Sequence, residues 1–99
     1  MDIREILLFK ISLADQTARY DDMARFSEEF CKSYNPLNFE ERTLINKSFR
    51  NEIGIRRIAI RKLVNMEKQY ENKKEIITEY KKKLIYECEM IAKKVIELI

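Results

Sequence analysis

The sequence predicts an all-α chain of four antiparallel helices. Three observations carry this. One Gly and one Pro stand in 99 residues, whereas sheets need turns built from Gly, Pro, Asn or Asp clusters; the clearest such cluster is Ser33-Tyr34-Asn35-Pro36. Apolar residues recur in steps of three and four, the helical period. An apolar content of 45% beside 37% charged residues allows one core with a solvated outside, and the length suits one small domain.

The first helix is expected over residues 3–16. Asp2 followed by Glu5 opens it as a capping box, with Asp2 accepting the third backbone N–H. Ile3, Ile6, Leu7, Leu8, Phe9, Ile11, Leu13 and Ala14 follow. At about 100° per residue they wrap most of the circumference, not one stripe. Such a helix needs cover on two sides, one from its own chain and the other from a second molecule.

The second helix is expected over 20–32 with Met23, Phe26 and Phe30 inward. No Gly or Pro marks the break before it, which falls near Gln16–Arg19. After Pro36, Asn38 and Glu41 repeat the capping signature and open a third helix over 39–70, long for a globular protein. The polar run Glu71-Asn72-Lys73-Lys74 separates it from a fourth over 75–99, with Ile77, Tyr80, Leu84, Cys88, Ile91, Val95 and Leu98 in steps of three and four. That pattern is still in stride at Ile99 with no Gly or Asn to cap it, which is how a chain truncated before a fifth helix would read. There is no internal repeat.

The chemistry that can be excluded is broad. The sequence has no His, the usual general base and commonest metal ligand. One glycine leaves no glycine-rich phosphate loop. Glu28-Glu29 and Glu40-Glu41 are neighbours pointing different ways on a helix and read as solvated surface. Cys31 and Cys88 match no zinc or redox spacing and read as reduced, partly buried thiols. No apolar run approaches the ~18 residues of a membrane span, so the cytoplasm is the expected setting, with the nucleus also open. The net charge of +3 is too mild to indicate nucleic acid. Binding is expected, not catalysis.

One constellation stands out. Lys47, Arg50, Gly54, Arg57 and Arg61 share a narrow arc of the third helix. Gly54 sits in a helix interior where it costs roughly 1 kcal/mol relative to Ala, which leads one to expect close approach of another helix or a ligand. Arg50 and Arg57, two turns apart, can converge on one phosphate, because Arg presents a planar fork of donors matched to phosphate oxygens. The same arc is also what an ordinary solvated basic face looks like. A nucleic-acid-binding helical module using Lys47, Arg50, Arg57 and Arg61 is the alternative from a different class; no aromatic residues interleave with that stripe, and Glu52 and Glu67 dilute the helix's charge. A plain coiled-coil scaffold is disfavoured by the irregular apolar steps.

The run Glu40-Glu41-Arg42-Thr43-Leu44-Ile45, then Ser48-Phe49-Arg50-Asn51-Glu52-Ile53-Gly54-Ile55-Arg56-Arg57, resembles the third helix of 14-3-3 proteins. The family's pattern there is an acidic pair, a basic residue and an apolar stretch, then aromatic-Lys-Asn-x-x-Gly-x-Arg-Arg. Arg19-Tyr20-Asp21-Asp22-Met23 resembles the start of the family's second helix, and Glu79-Tyr80-Lys81 lies in what would be its fourth. The resemblance implies a non-enzymatic, dimeric signalling adaptor that needs no cofactor or metal. Its partners would be itself or a related subunit, and proteins carrying phosphoserine or phosphothreonine, with no nucleic acid and no membrane.

By the same resemblance the phosphate would be gripped by Arg50, where the family usually has Lys, and by Arg57. The family's remaining Arg and Tyr lie on a fifth helix that this sequence does not reach, so half of the cluster is present. Ile60 stands where the family usually has Trp. Dimerisation would use the first four helices: Leu13 and Thr17 against Ala59, Leu63 and Tyr80 of the partner, with Arg19–Glu87 and Asp22–Lys83 as ion pairs between subunits. Leu13 and Leu63 could instead be ordinary intrachain core.

Overall fold

A computed structural model of the chain describes residues 1–98. Four α-helices follow one another: α1 (Ile3–Gln16), α2 (Tyr20–Ser33), α3 (Phe39–Gln69) and α4 (Lys74–Leu98), with a short 3-10 turn at Glu71–Lys73. No strand occurs among the described residues. Helix α4 starts one residue before the expected position, and Ile99, its expected last residue, lies outside the described residues.

The caps explain where the helices begin and end. Asp2 accepts the Glu5 N–H at 2.8 Å, half of the expected capping box. At α3 the box is complete, with Asn38 Oδ1 accepting from Glu41 N–H at 2.8 Å and Glu41 Oε1 accepting from Asn38 N–H at 2.9 Å. The α1–α2 break is a Schellman closure without glycine. Arg19 N–H donates to Ala14 O at 2.8 Å and Ala18 N–H to Asp15 O at 3.1 Å, and Ala18 takes φ 56°. An L-residue there crowds its Cβ against the following carbonyl. Ala18→Gly is therefore expected to stabilise the fold by about 1 kcal/mol, read as a higher denaturant midpoint at unchanged slope.

The core sits at one end of the molecule. Leu7, Ile11 and Ala14 of α1 meet Met23 and Phe30 of α2 and Ile45 and Phe49 of α3, with Ile91, Val95 and Leu98 of α4 packed against them. Phe26 is only partly buried beside this cluster. Glu41 corrects the reading of the acidic pairs as solvated surface: it is 3% exposed. Arg4 grips it twice, Nε to Oε2 at 2.8 Å and a terminal nitrogen to Oε1 at 2.6 Å, while the guanidinium lies 5.6 Å and 5.1 Å from the Phe30 and Tyr34 ring centroids. The start of α1 is thereby locked to the start of α3. Arg4 holds the Glu41 carboxyl below its ordinary range, against the opposing effect of burial. Glu28 reaches Lys94 at 3.1 Å, joining α2 to α4.

Beyond this core, α3 and α4 continue together as a hairpin. At 31 residues, α3 is about 46 Å long at ~1.5 Å per residue, and it accounts for most of the 57 Å longest dimension. None of residues 53–69 is buried, and Leu84 is the one buried residue of α4 among those described. Polar bonds join the pair: Arg56 Nε to Glu87 Oε1 at 2.9 Å, Lys81 Nζ to Glu67 Oε1 at 2.6 Å and Thr78 Oγ1 to Glu67 Oε2 at 2.7 Å. Along α4, Leu84 is buried and Ile91, Val95 and Leu98 pack against the core, whereas Ile77 and Cys88 are half-buried and Tyr80 is exposed, because among the described residues no other helix covers the outer side of that part of the hairpin.

Candidate functional site

Arg50, Arg57 and Arg61 project from one exposed face of α3, and none has an ion-pair partner among the described residues. Lys47, at the edge of the same arc, does not belong with them. It reaches across to Asp15 Oδ2 at 2.8 Å and ties α3 to α1. Arg50 also lines a groove of about 540 Å³ between α3 and the end of α4, floored by Phe49, Ile53, Val95 and Ile96. Seven residues separate Arg50 from Arg57, about 10 Å of helix rise. Both long side chains can therefore lean toward an anion held above Gly54.

At Gly54 one half of the expectation, close approach of another helix, is not met within this chain. A Cβ there would meet nothing within 4 Å, so no helix of this chain approaches it, and the backbone is an ordinary helix with no positive φ. The residue leaves open space between the two arginines. Gly54→Ala is accordingly expected to stabilise the fold by about 0.5–1 kcal/mol through a less flexible unfolded chain, measured by thermal or denaturant unfolding.

The residues expected at a subunit contact are placed as follows. Leu13 is 45% exposed on α1, and Tyr80 is 55% exposed on α4. Ala59 and Leu63 are half-buried beside exposed Ile55, Ile58 and Met66. The exposed Thr17 donates its hydroxyl to Leu13 O at 2.8 Å. Asp22 holds Arg19 at 3.0 Å and Arg25 at 2.7 Å. Glu87 is held by Arg56, and Lys83 Nζ lies 5.9 Å from the Tyr80 ring centroid. Ile60 is half-buried. The ion pairs of Arg56, Arg25 and Arg4 carry no mark in the sequence. Each partner lies on another turn or another helix, and a helical wheel carries no information about which.

Neither thiol is bonded: both cysteines are free and half-buried, and burial, with Glu28 nearby, pushes the Cys31 thiol pKa up. A thiol kept protonated is a poor nucleophile. Glu52 is raised by burial, only partly offset by Arg56. Among the described residues no group of three or more His, Cys, Asp or Glu could hold a metal ion, and no helix is long and apolar enough to cross a membrane.

A family model described as 14-3-3 protein matches residues 10–99. The chain belongs to the 14-3-3 family. Among its relatives are the 14-3-3 protein eta of Homo sapiens, Bos taurus and Mus musculus, each 33% identical over 104 aligned positions. The alignments cover 100% of this chain and 42% of each relative, so the chain spans about two-fifths of the length of these 14-3-3 proteins. Membership brings no support to the nucleic-acid reading of the stripe, which has also lost Lys47 to Asp15.

Proposed function

We propose that this 14-3-3 family chain acts as an adaptor: it associates with a second copy or a related subunit and offers Arg50 and Arg57 to phosphoserine or phosphothreonine segments of other proteins. The observation that carries the reading is a pair of uncovered apolar faces. One runs along α1 through Ile6 and Leu13, and the other along the hairpin through Ile55, Ile58, Met66 and Tyr80. At ~25 cal/mol per Å², covering such faces outweighs exposed ion pairs worth about 0–1 kcal/mol each. Leu13 and Thr17 would meet Ala59, Leu63 and Tyr80 of the second copy, with Arg19, Asp22, Lys83 and Glu87 at the rim.

Phosphate recognition draws support from the guanidinium groups of Arg50 and Arg57, which have no ion-pair partner among the described residues and flank the open space at Gly54. It is a binding role without a catalytic step, in the cytoplasm. Light scattering across a dilution series tests the association, which a well-folded species monomeric at every concentration would refute. Titration with a phosphoserine peptide and its unphosphorylated twin tests the anion site. Equal affinities would reject it, and Arg57→Glu should abolish any difference.

A further inference from the structure

We propose that Glu28 and Glu52 compete for Lys94, so that one proton at Glu52 decides whether the end of α4 is tied to α2 or to α3. The three side chains meet at a cavity of about 180 Å³ between these helices, walled also by Asp21, Arg25, Phe49 and Ile91. Lys94 Nζ stands 3.1 Å from Glu28 Oε2, which joins α4 to α2. Glu28 holds a second cation as well, Lys32 of its own helix, 3.0 Å from Oε1. Glu52 is less well served. Its side chain is 14% exposed, and its one ion-pair contact among the described residues is an Arg56 terminal nitrogen at 3.8 Å, beyond hydrogen-bonding reach. Arg56 is engaged elsewhere, donating to Glu52 O at 3.0 Å and to Glu87 Oε1 at 2.9 Å. Of the other charges at the cavity, Arg25 is taken by Asp22 at 2.7 Å, and Asp21 and Glu28 of α2 both repel a negative charge on Glu52.

A half-buried carboxylate without a close cation ionises only at a cost. When neutral, Glu52 needs no cation, and Lys94 remains with Glu28, as in this structure. Burial accordingly lifts the Glu52 pKa above the ordinary 4.5, whereas Glu28, between its two lysines, lies below it. As pH rises past the Glu52 value the new charge requires a partner, and Lys94 is the cation it can recruit. The Lys94 stem is long and flexible, its side chain is 51% exposed, and Glu28 keeps Lys32 when Lys94 leaves. The proton on Glu52 is thereby coupled to the end of α4, where the next residues, Val95 and Ile96, wall the groove beside Arg50. This exchange stands on the ion-pair geometry and is independent of the adaptor reading.

The test is an NMR titration of the full chain between about pH 3 and about pH 8, a range that brackets both carboxyls, following the carboxyl carbons of Glu28 and Glu52 and the ε-methylene of Lys94. Lys94 is expected to shift in step with Glu52, at a midpoint above 4.5, and the methyl groups of Val95 and Ile96 to move with it. Glu52→Gln, which holds the side chain neutral, should remove that step and leave Lys94 responding to Glu28 alone. Lys94→Met should raise the Glu52 midpoint by about half a pH unit or more, because the recruited cation is gone. A Lys94 resonance that follows only Glu28 in the unaltered chain, or a Glu52 midpoint unmoved by Lys94→Met, overturns the proposal. Methyl groups of Val95 and Ile96 that stay still while Lys94 titrates with Glu52 would overturn its reach to the groove.

Discussion

Glu41→Ala is expected to destabilise the protein by about 2–4 kcal/mol, the largest effect of any single polar side chain here. Two losses combine. The capping box at Asn38 is broken, worth about 1 kcal/mol, and Arg4 is left without its bidentate partner beside two aromatic rings. Removing one member of a buried pair costs about 3–5 kcal/mol, but the Arg4 side chain is 39% exposed and can recover some hydration, which lowers the figure. For a domain whose whole stability is about 5–15 kcal/mol, that is a large share. Denaturant unfolding of the variant measures it directly; a change below about 1 kcal/mol would mean the pair holds nothing together.

Acid should reach the same linkage. The carboxyls of Glu41, Glu28 and Glu67 are held below the ordinary 4.5 by hydrogen bonds from Arg4, from Lys32 and Lys94, and from Lys81 and Thr78. A group whose folded pKa is lowered contributes stability above its unfolded value and loses it as pH falls through the folded one. Glu52, raised by burial, works in the opposite sense: its contribution is present below 4.5 and is lost as pH rises through its raised value. Three groups oppose one, so the unfolding midpoint should fall as pH drops below 4.5. The fall should be shallower in Glu41→Ala.

Leu13→Glu is expected to weaken self-association by about a hundredfold or more, since a carboxylate forced into an apolar contact costs several kcal/mol unless it finds a partner. In a twofold arrangement the cost is incurred at two sites. The protomer itself should keep its stability within about 0.5 kcal/mol, because Leu13 stands exposed on α1 and surface substitutions change little. Light scattering separates the two effects: loss of the heavier species with an unchanged protomer unfolding midpoint is the expected result. A variant that associates as before would move the contact away from α1.

Much of this was readable in the residues, and the misses share a cause. The starts of α1 and α3 are written in short-range pairs, Asp2 with Glu5 and Asn38 with Glu41, and such pairs act within one turn. The break at Gln16–Arg19 could be located because the apolar pattern lapses there, but Ala18 conceals its mechanism by taking a backbone conformation that favours glycine. Glu41 reads as surface in the sequence because Arg4 lies 37 positions away. Lys47 shares the arginines' arc because a wheel shows azimuth and not the neighbour, here Asp15. Gly54 predicts close approach of a helix or a ligand; no helix of this chain approaches it, and a missing side chain leaves the same mark on a sequence whichever of the two it serves. The wide apolar arc of α1 was legible as an excess; Leu7, Ile11 and Ala14 face the core while Ile6, Phe9 and Leu13 remain uncovered.

The asymmetry of α3 has a kinetic signature. One continuous helix passes from a stretch anchored by Glu41, Ile45, Ser48 and Phe49 in the core to a stretch touched, among the described residues, by α4 and the short turn at Glu71–Lys73. Local opening follows the density of buried contacts, so amide protons of residues 45–52 should exchange slowly, near the rate of global unfolding. Those of residues 58–69 should exchange by fraying of the hairpin tip, orders of magnitude faster. Which of the two regimes slows when protein concentration is raised would show, amide by amide, where a second molecule settles.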